Sequence, residues 1–209
     1  MAILSTLITA TVAFVATNID DIFVLMMFFS QTDRAFRRRH IVIGQYIGFV
    51  TLIAVSLLGF LGSFIVPKEW IGLLGLAPIA IGIHKFVNRN SETKTSELLG
   101  RLSPSSSVLS SLLNPKTYGV AVVTFANGGD NIGIYTPLFA SSDLLRLVVT
   151  VGVFLTLVAV WCFLGYKLTH QRTVAQVLFR YDHLVVPFVL IGLGVYIIVA
   201  NETLRLLGL

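Results

Sequence analysis

Charge is scarce in this chain. Asp, Glu, Lys and Arg make up 12% of its 209 residues, and a soluble domain carries about twice that share. The deficit excludes an ordinary soluble globule. Cysteine is nearly absent as well: the single Cys162 excludes a disulfide framework within the chain and any CxxC metal motif. In the string WCFLG it reads as a small buried apolar residue. Positive charge is missing ahead of the first apolar stretch, MAILSTLITATVAFVA, and no small-x-small cleavage pattern follows it. That stretch is therefore expected to stay as mature structure and not to be removed as a signal peptide.

What is present is apolar sequence, 56% of the residues, with a mean hydropathy of +0.88. A hydrocarbon core about 30 Å thick is crossed by roughly 20 apolar helical residues. Six runs fit, at about 3–29, 41–66, 71–87, 118–139, 144–168 and 184–200. Short polar joints separate them: QTDRAFRRRH, PKE, SSD and THQRTVAQVLFRYDH. One longer linker, NRNSETKTSELLGRLSPSSS, is rich in Ser, Thr and charge and reads as flexible and outside the bilayer. The expected fold is an all-α integral membrane protein of six transmembrane helices, with three over 1–87, a linker over 88–117 and three over 118–209.

Positive residues orient this scheme, because Lys and Arg collect in short cytoplasmic loops. Arg34, Arg37, Arg38 and Arg39 follow the first run, Lys85, Arg89, Lys94, Arg101 and Lys116 surround the linker, and Lys167, Arg172 and Arg180 follow the fifth. Only Lys68, Arg146 and Arg205 fall on the other side. Loop 31–40 and linker 88–117 are thus expected in the cytoplasm, with both termini outside. The RRRH run is a topology signal, and the net charge of +5 calls for no nucleic acid. His40, His84, His170 and His183 lie at run edges and read as interfacial packing. Trp70, Trp161, Tyr118 and Tyr166 need only interfacial and core roles.

Three spans per half make related halves cross the membrane in opposite senses. ATNIDDIFV aligns with ANGGDNIGI when Asp20 is set on Asp130, TLIAV with TLVAV when Thr51 is set on Thr156, and LAPIAIGI with VVPFVLIGLG when Pro78 is set on Pro187. The offsets are 110, 105 and 109. Two inverted three-helix repeats are the expectation, a common build of secondary transporters, whose sites lie near the midplane where interrupted helices meet.

Of the ten acidic residues, Asp33, Glu69, Glu92, Glu97, Asp143, Asp182 and Glu202 lie in joints or at run ends, whereas Asp20, Asp21 and Asp130 do not. A carboxylate facing lipid at that depth costs at least about 2.5–3.5 kcal/mol, so these three should face a protein interior or a water-filled path. At about 100° per residue, Asn18 shares a helix face with Asp21, Thr17 with Asp20 and Asp21, and Asn127 with Asp130 and Asn131. The expected ligand set is Asn18, Asp20, Asp21, Asn127, Asp130 and Asn131, supported by Thr17, Gly128, Gly129 and Pro137. The glycines weaken the helix by roughly 1 kcal/mol each relative to Ala and would let backbone carbonyls turn inward. Gly133 permits close helix approach, and Pro137 interrupts the ladder. Plain helix packing is the competing use of glycine, since GQYIG in the second run has the same spacing without any acid; that spacing also allows a homo-oligomer.

Carboxylate and amide oxygens suit a hard divalent cation and oppose an anion. The cation is the transported substrate, and no cofactor is expected. An empty carboxylate cluster holds a proton that an entering cation displaces, so proton exchange is the expected coupling.

ATNIDDIFVL and FANGGDNIGIYTPLF, with NPK ahead of the second, resemble the cadmium resistance transporter (CadD) family, a branch of the lysine exporter superfamily of small six-span transporters. The likeness covers essentially the whole chain. It implies efflux of cadmium, or of zinc, manganese or calcium, across a bacterial plasma membrane, with Asp20, Asp21 and Asp130 carried over as site residues. The sulfur atoms of Cys162, Met26 and Met27 are left outside the expected ligand set. Two other readings stand beside it. Export of a basic amino acid follows only from superfamily analogy. An intramembrane aspartyl hydrolase would need a GxGD string, but Asn127 occupies its first glycine position, and adjacent Asp20 and Asp21 suit an ion site better.

Overall fold

The structure, a computed structural model, describes residues 2–34, 36–87, 115–169 and 172–203. All regular structure among these residues is helical. Helix α1 (Ala2–Asn18) meets α2 (Asp21–Ser30) at a bend of 58°. Then come α3 (Arg38–Gly62), the single-turn α4 (Lys68–Ile71), a 3-10 turn over Gly72–Gly75, and α5 (Leu76–Val87). The second half holds α6 (Pro115–Asn127), α7 (Gly129–Ala140), α8 (Leu144–Leu168) and α9 (Arg172–Ala200).

Helices α3 and α8 have 25 residues each, about 37 Å at 1.5 Å per residue, enough to cross a bilayer core. The bent pair α1–α2 makes a third apolar span if it crosses as one unit. Gly72–Val87 and Val186–Ala200 are shorter apolar helices. Among the described residues, two helices are long and apolar enough to cross alone, and the bent pair makes three. Ile47, Val50 and Leu58 on α3 and Val148 and Phe163 on α8 are exposed, the apolar outer surface that lipid, and not water, accommodates.

Glycines set how the halves meet. A Cβ at Gly44 would stand 2.6 Å from the Thr117 carbonyl oxygen, and one at Gly48 would stand 2.7 Å from that of Ala121. The GQYIG spacing is thus consumed by packing of α3 on α6 within the chain, the two helices running in the same direction. On the other flank, α8 runs in the same direction as α1 and α2: Trp161 bonds to Asn18, and Thr169 Oγ1 donates to the Met26 carbonyl at 3.4 Å. The 3-10 turn and α5 run antiparallel to α9, with Gly75 against the Gly194 carbonyl and Gly82 against that of Pro187.

Between these layers lies an aromatic core of Phe14, Phe49, Phe139, Phe154, Tyr135 and Trp161, all buried. Tyr135 lies 4.4 Å from Phe154, and Phe14 meets Trp161 edge-on at 5.1 Å between ring centroids. A buried Tyr or Trp needs a partner for its polar end, and both find one at the end of α1.

Several expectations are corrected. The first run is two helices, not one. Run 41–66 ends as helix at Gly62, and run 118–139 is interrupted at Gly128. Most of linker 88–117 lies outside the described residues, and helix already begins at Pro115. Residues 172–183, read as a polar joint, form the start of α9. They hold no Gly or Pro, so nothing local stops a helix there.

Candidate functional site

The string TNIDD breaks the first span without glycine or proline. Thr17 Oγ1 donates to the carbonyls of Ala13 (3.0 Å) and Phe14 (3.2 Å), and Asn18 Nδ2 donates to Phe14 at 2.8 Å. Such side-chain bonds offer the backbone an alternative to its own ladder. The Asn18 carbonyl accepts the Trp161 indole N–H at 2.6 Å. Helix α2 restarts at Asp21, placing a carboxylate in a first turn whose N–H groups lack partners in the helix.

The interruption in the second half is milder. Gly128 N–H donates to the Thr124 carbonyl at 3.1 Å, and its own carbonyl accepts from Ile132 N–H at 3.2 Å, so the ladder continues through it. The Leu52 side chain fills the space that a side chain at 128 would need, whereas Gly129 has open space beside it. Gly128 therefore serves close packing, and it does not free the carbonyls that the sequence suggests. Pro137 lies inside α7, about 10 Å along the helix from Asp130. Its carbonyl accepts from Ser141, and it stands apart from the cluster.

The two interruptions meet. Asn127 Nδ2 donates to Asp21 Oδ1 at 2.5 Å, and Asn131 Nδ2 donates to Asn18 Oδ1 at 3.2 Å. The Tyr135 hydroxyl lies 2.7 Å from Thr17 Oγ1 and accepts from Asn18 Nδ2 at 2.8 Å. Asp130 Oδ1 accepts from Asn131 N–H at 3.0 Å, while its Oδ2 lies 2.8 Å from Lys85 Nζ. The same ammonium stands 4.0 Å from Asp20 Oδ2. Asp20 is the most open of these groups, its side chain 42% exposed against 17% for Asp130.

The candidate residues on both helix pairs thus come together, but the three carboxylates do not converge on one point. Among the described residues no three Asp, Glu, His or Cys side chains are grouped to hold a metal ion. Asn127 engages Asp21 and Lys85 engages Asp130 instead. Two buried oxygens, Asp21 Oδ2 and Asn131 Oδ1, have no hydrogen-bond partner among the described residues. Buried acceptors of this kind ordinarily have one, and both are of the type that coordinates a hard cation. Of the three sulfur side chains, Cys162 is buried in the core, Met26 packs partly buried against it and Met27 is exposed.

Sequence reasoning missed three members. Lys85, at the end of run 71–87 and counted there only as a topology signal, occupies the last turn of α5 and pairs with Asp130. Tyr135 follows Asn131 by one helical turn and so shares its face. Trp161 carried no local signal.

A family model described as cadmium resistance transporter matches residues 14–208. The chain belongs to the cadmium resistance transporter family. Family membership and the long apolar helices together make it a membrane transport protein. No match is found among curated proteins or solved structures.

Proposed function

We propose that this family member is a secondary transporter exporting divalent cations, cadmium foremost and zinc, manganese or calcium as further candidates, in exchange for protons. The substrate site lies where the α1–α2 bend meets the α6–α7 interruption, with Asn18, Asp20, Asp21, Asn127, Asp130 and Asn131 as its oxygen donors. The observation that carries this reading is the crossed pairing of Asp21 with Asn127 and Asn18 with Asn131. Each pair joins the two halves and leaves one buried oxygen unclaimed. Carboxylates kept inside an apolar bundle are costly and mark ion pathways.

Two inverted repeats of three crossings agree with the packing. Exchange of the halves turns the α3–α6 and α3–α7 contacts into those of α8 with α1 and α2. Thr51 bonds to the Ile47 carbonyl and Thr156 to that of Gly152, both at 2.8 Å and both 105 residues apart. Parallel neighbours α3 and α6 require a crossing between them, which α5 with its 3-10 turn supplies. Cytoplasmic placement of the basic end is supported by its clustering: Lys116 approaches Asp33 at 3.8 Å and Arg38 lies over the Tyr166 ring. At the other end Thr6, Ser141, Ser142 and Arg146 line a pocket that is the proposed outer mouth.

Expression in a cadmium-sensitive bacterium tests the reading. Tolerance should rise with the wild-type chain and disappear with Asp130→Asn at equal membrane abundance. Unchanged tolerance in either comparison would remove the proposal. In proteoliposomes the cation flux should drive protons the other way, and a flux indifferent to an imposed pH gradient would remove the exchange step.

A further inference from the structure

The ammonium of Lys85 sits where a cation belongs. It comes from the last turn of α5, outside both interrupted helix pairs, yet it reaches 2.8 Å from Asp130 Oδ2 on one pair and 4.0 Å from Asp20 Oδ2 on the other. Its side chain is 31% exposed, so the flexible four-carbon stem has room to withdraw. A carboxylate at this depth without a countercharge is expensive. A bound divalent ion and the ammonium repel each other across one set of oxygens. Both cannot occupy it at full strength.

We propose that Lys85 is a tethered surrogate cation: its ammonium neutralises Asp130 and Asp20 while the site is empty and is displaced when a divalent ion enters. On this account Lys85 sets how tightly substrate is held. It weakens binding enough for release and keeps the returning empty carrier from exposing bare carboxylates to the bilayer. The inference rests on the site reading above, and it adds a competitor within the chain that acts on specificity as well. A monovalent ion gains too little from the oxygens to dislodge the ammonium, whereas a divalent ion gains enough.

Cadmium binding to the purified protein in detergent, followed by isothermal titration, separates the two levels. Asp130→Asn should lose binding; if it binds as wild type does, the site reading falls and this inference with it. Given that loss, Lys85→Ala and the bulkier Lys85→Gln should both bind cadmium more tightly, with Kd lower by roughly tenfold, as loss of a close charge competitor implies. Lys85→Arg, which keeps the charge, should stay near wild type. Cadmium should raise the melting temperature of Lys85→Gln more than that of wild type, since the variant lacks its resident cation. Lys85→Ala and Lys85→Gln with Kd equal to or above the wild-type value would overturn the surrogate role and leave the site standing. Tighter binding by Lys85→Arg would also overturn it, because charge would then not be the cause.

Discussion

The two interruptions that meet in the bundle are built by opposite means. The first contains no glycine and is bent by 58°, with its ends held by Thr17, Asn18 and the indole of Trp161. The second contains two glycines and keeps hydrogen bonds running through Gly128. Glycine is permissive for a break but does not by itself make one. Partners for the released backbone groups do. The difference also divides the labour: the bent side presents adjacent carboxylates Asp20 and Asp21, and the straighter side presents amides and an Asp130 held by Lys85.

Perturbing each side separately should break this contrast. The largest effect is expected from Asp21→Asn, which removes a buried carboxyl group at the crossed pair and should abolish cadmium tolerance. Asp20→Asn, at the more open position, should only reduce it, and equal losses would erase the distinction between the two carboxylates. Next comes Trp161→Phe, which strips the Asn18 carbonyl of its donor and should destabilise the protein by about 1–3 kcal/mol, read as a lower melting temperature in detergent. Gly128→Ala drives a methyl group into Leu52 and should cost about 1–3 kcal/mol, recovered in part by Leu52→Ala. Tyr135→Phe removes one hydroxyl shared by Thr17 and Asn18 and should cost about 1 kcal/mol. Gly129→Ala, with open space around it, should be the mildest, near neutral or slightly stabilising. If Gly129→Ala proves worse than Gly128→Ala, the packing account of the second interruption fails.

The site was legible where the physics is local. Asp20, Asp21 and Asp130 stand out because charge in an apolar run is costly, and helical spacing put Asn18 beside Asp21 and Asn127 beside Asp130. What it could not supply was the partner for each group. That Asn127 reaches across to Asp21 depends on how two helix pairs pack. The break after Asn18 carries no stop signal of the glycine or proline kind, because its stabilising donor lies 143 residues away in Trp161. Lys85 was counted only as a topology signal, because its reach to Asp130 depends on how α5 packs against the second interruption. Helix α9 ran further than expected since its polar first turns contain good helix formers, and polarity alone does not end a helix.

Cadmium flux through the purified protein in proteoliposomes, compared among wild type, Asp21→Asn and Asp130→Asn, tests the central claim most directly. One cation held between the two interruptions predicts that either substitution alone abolishes the flux while both proteins stay folded. Wild-type flux from either variant would contradict a shared site.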